Sequence, residues 1–84
     1  MTYQLIVKPK ARKNLNKLPI EVIVKIDQAL IAIASDPFCG KKLSGKLKDQ
    51  WSYRLWPYRI IYTIKKKELI VLVIDIGHRQ GVYN

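Results

Sequence analysis

The sequence is poor in cysteine, histidine and acidic side chains. It contains one cysteine, one histidine and six Asp and Glu residues among 84. A single cysteine excludes an intrachain disulfide, and one imidazole with one thiol is too few for a metal site of nitrogen and sulfur ligands. We therefore expect chemistry that uses neither a metal nor another cofactor, and we interpret Cys39 as a loop or core residue rather than a nucleophile.

Long hydrophobic runs are also missing. No stretch approaches the roughly 18 apolar residues of a membrane-spanning helix, and the first ten residues lack the apolar core of a signal peptide. The sequence therefore predicts a cytoplasmic protein without a membrane partner.

Positive charge is abundant. Sixteen Lys and Arg residues give a formal net charge of +10 at pH 7. On a small domain this charge favours polyanions, which include nucleic acid, anionic membranes and acidic proteins. The hydrophobic share of 49% argues against disorder, and 84 residues suffice for one modest core. We expect residues 1–84 to form a single domain.

The first half of the chain predicts a strand followed by two helices. Residues 2–8 alternate as in a strand, which Pro9 ends. From Lys10 the apolar residues recur at helical spacing, and Pro19 suits the first turn of a second helix that runs to about Ser35. The apolar positions assigned to this second helix are Ile20, Ile23, Val24, Leu30, Ile31 and Ala34.

A connection rich in Gly and Lys spans residues 38–50. Its lysines are Lys41, Lys42, Lys46 and Lys48. Two interpretations stay open, a solvated loop and a surface that contacts the phosphate backbone of a nucleic acid. The second gains support from the arginine-rich segment that follows.

Residues 51–62 predict a β-hairpin with its connection at Trp56-Pro57. Counting outward from this connection, Leu55 pairs with Tyr58 and Arg54 with Arg59. Proline cannot adopt the positive φ of the usual two-residue turn, so the turn type stays open. Like charges opposite each other destabilise a hairpin by up to ~1 kcal/mol. An anion between the guanidinium groups removes that cost, and phosphate fits the planar arginine fork.

The last part of the chain predicts a buried strand and a second cluster of reactive side chains. Residues 69–76 are almost purely aliphatic, which is typical of an interior strand buried on both faces. Asp75 is the exception, and we interpret it as structural, with a pairing to Arg59 as one alternative. The reactive side chains that follow are those of His78, Arg79 and Tyr83.

These blocks together resemble the RelE/ParE superfamily of type II toxin-antitoxin toxins, and within it the RelE-like messenger RNA endonucleases. The specific blocks are W-x-Y-R-x-x-x-Y-R-I-I-Y at residues 51–62 and I-G-H-R-x-x-V-Y at residues 76–83. The resemblance covers the full chain. It implies an α+β fold, a small twisted antiparallel sheet with two N-terminal helices packed on it in the order β-α-α-β-β-β.

The resemblance also implies an activity. Active members bind in the ribosomal A site and cut messenger RNA there without a metal, because the ribose 2′-OH attacks the adjacent phosphate. The resemblance implies that Arg59 binds the phosphate and that Arg79 lies near the leaving group. It also implies that Arg54 is a basic residue that faces the substrate. Tyr83 and His78 stay rival bases, since imidazole has a reference pKa of about 6.5 and a phenol of about 10.

Partners and alternatives follow from the same resemblance. It implies a cognate antitoxin, RelB-like, that wraps the toxin, with the ribosome and messenger RNA as targets and operator DNA reached only through the antitoxin. Trp56 is a candidate for stacking on a nucleotide or packing on the antitoxin. The alternatives are a ParE-like gyrase inhibitor, whose relatives tend to lack the C-terminal catalytic set, and an inactive relative that only binds RNA or antitoxin.

Overall fold

The computed structural model describes residues 2–43 and 49–78. Within these residues lie two helices, five strands and two short 3-10 turns. The helices are α1 (Pro9–Asn16) and α2 (Ile20–Ser35), and the 3-10 turns are Pro37–Cys39 and Lys66–Glu68. The strands are β1 (Gln4–Val7), β2 (Lys41–Lys42), β3 (Trp51–Leu55), β4 (Tyr58–Lys65) and β5 (Ile70–His78).

The five strands form one mixed sheet in the order β1-β5-β4-β3-β2. The α+β class with two helices is confirmed, but β1 runs parallel to β5 and only the other three pairings are antiparallel. The predicted antiparallel sheet is therefore correct except in the pairing of β1 with β5. Alternation along a strand shows which face it buries, but it contains no information on the direction of a neighbour that is distant in sequence.

Both helices begin where proline permits. Pro9 occupies the first turn of α1, where a missing N–H costs no hydrogen bond, and Pro19 directly precedes α2. In α1, Ala11 and Leu15 are fully buried, as their spacing predicted. In α2 the buried residues are Ile26, Ala29, Leu30, Ile33 and Ala34. No helix in the described part of the chain has the length and apolarity needed to span a membrane.

Part of the predicted apolar face of α2 lies in solvent. Ile20 is 67% exposed and Ile31 is 69% exposed, with Val24 exposed beside them. The helix is apolar around more of its circumference than the sheet can cover, so its sequence alone did not show which side would be buried. Leu30 and Ala34 face the core as predicted.

The core lies between the helices and one face of the sheet. Ile60, Tyr62 and Ile76 are fully buried there. The Tyr62 hydroxyl donates a 2.7 Å hydrogen bond to the Pro37 carbonyl, which ties β4 to the segment after α2. Gly40 passes so close to this hydroxyl that a Cβ atom at position 40 would overlap it.

The aliphatic strand predicted from residues 69–76 is β5, and its interior position is confirmed because it pairs with β1 on one side and β4 on the other. Its burial alternates instead of being complete on both faces. Val71 and Val73 are fully buried, whereas Leu72 and Ile74 are half-buried. Leu69 lies just outside the strand, in a left-handed conformation with φ of 55°.

Candidate nucleic-acid interface

The hairpin register is the one that the sequence predicts. Leu55 lies opposite Tyr58, and Arg54 lies opposite Arg59. The Trp56-Pro57 peptide bond is cis, the isomer found at this position of type VI turns. Neither Trp56 nor Pro57 has a positive φ, and the strands that they connect keep Arg54 opposite Arg59.

The two arginines project from the sheet face that points away from the helices. Side chains alternate along a strand, and paired residues share a face. Tyr53 and Ile60 belong to the helix-facing side, so Arg54 and Arg59 belong to the other. Arg59 is half-buried and donates a 3.4 Å hydrogen bond from Nη1 to the Ser52 hydroxyl. This contact orients one side of the guanidinium group along the open face.

A cavity of about 570 Å³ opens beside this arginine pair, and we call it the arginine cavity. It is lined by Cys39, Gly40, Lys41, Ser52, Tyr53, Arg54 and Arg59. Three of these side chains are cationic, and none of the described lining residues is acidic. Concentrated positive charge with arginine forks is the electrostatic and hydrogen-bonding complement of a phosphate group.

Cys39 lies at the edge of the arginine cavity. Its side chain is exposed, yet partial burial of the thiol, followed by the nearby Asp36 carboxylate, raises the pKa of Cys39. A raised thiol pKa leaves less thiolate at neutral pH and lowers nucleophilic reactivity. This environment agrees with the interpretation of Cys39 as a loop residue.

His78 ends β5 next to the hairpin. It lies opposite Tyr58, with the two ring centroids 6.1 Å apart and the ring planes at 80°. Its neighbour Gly77 lies opposite Arg59, so strand alternation directs the His78 side chain to the face opposite the arginines. His78 instead lines a cavity of about 260 Å³ between α1 and the end of β5. The structure therefore brings His78 to the same end of the sheet as Arg59 but not to the same face.

Asp75 is held by α1. Its Oδ1 accepts a 2.8 Å hydrogen bond from the Asn14 side chain and a 2.9 Å bond from the Ile76 backbone N–H. Its Oδ2 lies 3.3 Å from the Lys10 ammonium group. The structural role predicted for Asp75 agrees with these contacts. Asn14 was missed as its partner, because 61 residues separate the two in sequence.

The lysines of the 38–50 connection do not act as one group. Lys41 lies opposite Ser52 and lines the arginine cavity, whereas Lys42 lies opposite Trp51 and lines a different cavity. The connection also contains strand β2, which the sequence analysis did not predict. Lys46, Lys48, Arg79 and Tyr83 lie outside the described residues.

Trp56 and Ser52 are the remaining described residues of the candidate interface. Trp56 is 63% exposed at the hairpin tip, where an aromatic surface is accessible to a nucleotide or a protein partner. Ser52 was not among the predicted site residues. The register predicted from the turn already placed Ser52 diagonal to Arg59 on the same face, and that was the signal that could have identified it.

Comparison with known proteins identifies a family. The sequence matches the family model described as the ParE toxin of the type II toxin-antitoxin system parDE, over residues 5–83. A comparison with functionally curated proteins gives no match.

Solved structures extend this result. The RelBE2 toxin-antitoxin complex from Mycobacterium tuberculosis matches with a TM-score of 0.88 and 26% identity, over 94% of this chain and 93% of that chain. A variant of the E. coli toxin RelE in the free state matches with a TM-score of 0.81 and 25% identity, over 99% and 90%. The archaeal RelE-RelB complex from Pyrococcus horikoshii shares the fold, with a TM-score of 0.81 and 23% identity over 98% and 100%. The chain therefore belongs to the RelE/ParE superfamily and is a toxin of the type II toxin-antitoxin class.

Proposed function

We propose that this toxin is a ribosome-dependent endoribonuclease that cleaves messenger RNA in the A site. The observation that carries the proposal is the pairing of Arg54 with Arg59 on the open sheet face, beside Lys41 and without an acidic side chain in the described lining of the cavity. Placing two guanidinium groups opposite each other costs stability unless an anion binds between them. A messenger RNA phosphate supplies that anion.

The reaction uses the nucleotide's own hydroxyl as nucleophile. The 2′-oxygen forms a bond to the adjacent phosphorus as the bond to the 5′-oxygen breaks, which leaves a 2′,3′-cyclic phosphate and a free 5′-OH. One group removes the 2′-OH proton, and another supplies a proton or positive charge at the departing 5′-oxygen. Arg59 stabilises the charge that develops on the phosphorane, Arg54 holds the neighbouring backbone, and Arg79 acts near the leaving oxygen.

We propose Tyr83 as the base in preference to its rival His78, because the His78 side chain lies on the sheet face opposite Arg54 and Arg59. The reference pKa values of the two rivals, about 6.5 for an imidazole and about 10 for a phenol, predict different pH profiles. If His78 is the base, single-turnover cleavage on ribosomes loses its lower pH limb in His78→Gln and keeps it in Tyr83→Phe. If Tyr83 is the base, the two variants show the reverse result.

The partners follow from the same proposal. The matched structures from M. tuberculosis and P. horikoshii are toxin-antitoxin complexes. We propose that a cognate, RelB-like antitoxin binds and neutralises this toxin in the cytoplasm, and that operator DNA is contacted only through that antitoxin. The net charge of +10 supports an acidic antitoxin as the partner of the neutralised toxin and a nucleic acid as the partner of the active toxin.

The deciding experiment maps RNA ends by sequencing after induction of the protein. The parent is expected to produce new 5′-OH ends within translated codons, and Arg59→Gln is expected to reduce them about 100-fold or more, the usual cost of removing a group that stabilises developing charge. The matched control is Arg12→Gln on the exposed side of α1. Undiminished cleavage by a folded Arg59→Gln variant would contradict the role of this arginine.

A second candidate function is inhibition of DNA gyrase. The observation that favours it is the family match, whose description names the ParE toxin of parDE. In that case induction activates the DNA-damage response and leaves messenger RNA intact. A third outcome, in which neither response appears although the protein binds antitoxin, identifies a relative that acts by binding alone.

A further inference from the structure

A further cavity lies at the end of the hairpin remote from the Trp56-Pro57 turn. It has a volume of about 440 Å³, and we call it the aromatic cavity. Phe38 and Trp51 form its apolar wall, with ring centroids 5.5 Å apart and planes at 82°. Phe38 is 46% exposed, so part of this aromatic surface is open to a ligand.

Cations surround the aromatic wall. Lys42, Lys65 and Lys66 line the cavity, and Asp49 is the single acidic residue among its described lining residues. The Lys66 ammonium lies over the Phe38 ring, 5.9 Å from its centre, which is a cation-π distance. Flat apolar surface edged by lysines is complementary to a ligand with a planar ring and negative charge, as in a nucleotide.

Strand β2 links the two cavities. Lys41 and Lys42 are consecutive residues of a strand, so their side chains point to opposite faces of the sheet. Lys41 lines the arginine cavity and Lys42 lines the aromatic cavity. Because β2 is the last strand of the sheet, positive charge continues around this edge from one cavity to the other.

The separation of the cavities determines how long a ligand must be. Arg59 and Lys65 are both in β4, six residues apart, which corresponds to roughly 20 Å along a strand. A single nucleotide is too short to contact both. A strand of several nucleotides has a phosphate for each cationic position and a base for the aromatic wall.

We propose that single-stranded RNA held in the arginine cavity continues around the β2 edge, and that one of its bases lies against Phe38 and Trp51 while Lys42 and Lys66 contact its phosphates. This inference rests on the proposed RNA-cleaving function and adds a second contact, remote from the reacting phosphate. RNA accounts for the combination better than an acidic peptide does, because every base presents a flat ring next to a phosphate whatever the sequence. The aromatic cavity therefore strengthens binding without selecting a codon.

The test compares two lengths of RNA on the purified full-length protein. A 5′-phosphorylated trinucleotide of uridine reaches only the arginine cavity, whereas a dodecanucleotide of uridine reaches both. Isothermal titration calorimetry measures both affinities, so that no aromatic dye is attached that could itself bind the aromatic cavity. The variants are Phe38→Leu, which keeps apolar bulk but removes the ring, and the double substitution Lys42→Gln with Lys66→Gln. Lys67→Gln is the matched control, because it lies in the same 3-10 turn as Lys66 but does not line the aromatic cavity.

The expected result is a loss that depends on RNA length. Phe38→Leu and the double lysine variant should each bind the dodecanucleotide about tenfold more weakly and bind the trinucleotide as the parent does. The double variant should also reduce the slope of log affinity against log salt by about 1.4, since each single-strand phosphate contact contributes about 0.7. Lys67→Gln should leave the difference in affinity between the two RNA lengths unchanged. It should change the slope of log affinity against log salt by no more than one distant charge does.

Three results would overturn the inference. Equal dodecanucleotide affinity for parent and variants means that RNA does not reach the aromatic cavity. Equal losses for both RNA lengths mean that the substitutions act through general charge or through the fold. Weaker binding of antitoxin with unchanged RNA binding identifies the cavity as a protein-binding surface. Arg59→Gln, measured in parallel, should weaken both lengths, and if it weakens neither, the proposed function itself fails.

Discussion

Replacing Arg54 by glutamine should make the toxin more stable and a weaker RNA binder. Arg54 is exposed and lies directly opposite the half-buried Arg59 in the hairpin. Like charges in this position cost about 0.2–1 kcal/mol, and exposure places the value near the middle of that range, at about 0.5 kcal/mol. For a domain of this size, that energy corresponds to a rise in Tm of about 2–4 °C.

Salt dependence distinguishes charge repulsion from other causes of the stability gain. Screening shortens the reach of exposed charges from about 10 Å at 0.1 M salt to about 3 Å at 1 M. The stability gain of Arg54→Gln should therefore be largest at low salt and mostly lost at high salt. Urea unfolding at both salt concentrations measures this difference, with Arg12→Gln as the matched control, since Arg12 is an exposed arginine of α1 remote from the hairpin.

Bound RNA should make the parent more stable than Arg54→Gln, which is the reverse of the order expected without RNA. A ligand that binds only the folded state raises its stability in proportion to the logarithm of its concentration relative to Kd. The parent should gain more from saturating oligouridylate than Arg54→Gln, because the variant lacks one phosphate contact. A variant that is less stable than the parent at low salt, or that binds RNA as tightly as the parent does, would refute the interpretation of the arginine pair as an anion site.

Two further predictions concern the support of the site. Tyr62→Phe removes the donor to the Pro37 carbonyl and should cost about 1–2 kcal/mol at pH 7. Burial raises the pKa of Tyr62, and the negative charge of the neighbouring Cys39 thiolate raises it further. The stabilising effect of the Tyr62 hydroxyl is therefore complete below about pH 10 and is lost as pH rises further. Urea unfolding between pH 7 and 11 should show a steeper alkaline decline for the parent than for the variant, and equal declines would contradict this. Asp75→Ala removes the acceptor of the Asn14 and Ile76 hydrogen bonds and should destabilise the protein by about 1–3 kcal/mol. Lys10→Gln should cost under about 0.5 kcal/mol, because the Lys10 side chain is 71% exposed and its ion pair is solvated. Thermal unfolding compares the two variants, and equal losses would be evidence against these hydrogen bonds as the main support of Asp75.

The candidate site was partly predictable because a hairpin is a local structure. The connection at Trp56-Pro57 determines which residues of β3 and β4 face each other, so the opposition of Arg54 and Arg59 follows from counting. The same counting also places Ser52 close to Arg59, although Ser52 was not among the residues predicted for the site. The positions of Arg79 and Tyr83 stay predictions from the resemblance alone.

Other parts of the site depend on contacts between distant segments. The Asn14 contact to Asp75 joins α1 to β5, and no local pattern indicated it. The separation of Lys41 from Lys42 depended on β2, a two-residue strand too short to produce a recognisable period in sequence. The face on which His78 lies depended on its pairing with Tyr58 across two strands.

The sequence by itself determined the helix boundaries at its prolines, the hairpin register, the interior aliphatic strand and the excess of positive charge. Each of these depends on residues a few positions apart or on composition, so local sterics and periodicity are enough to specify it. Only the tertiary structure decided that β1 runs parallel to β5, which side of α2 is buried, and that two cationic cavities open on opposite faces of one sheet. These features depend on how separate elements pack together, and packing is decided by burial across the whole chain rather than by any one segment.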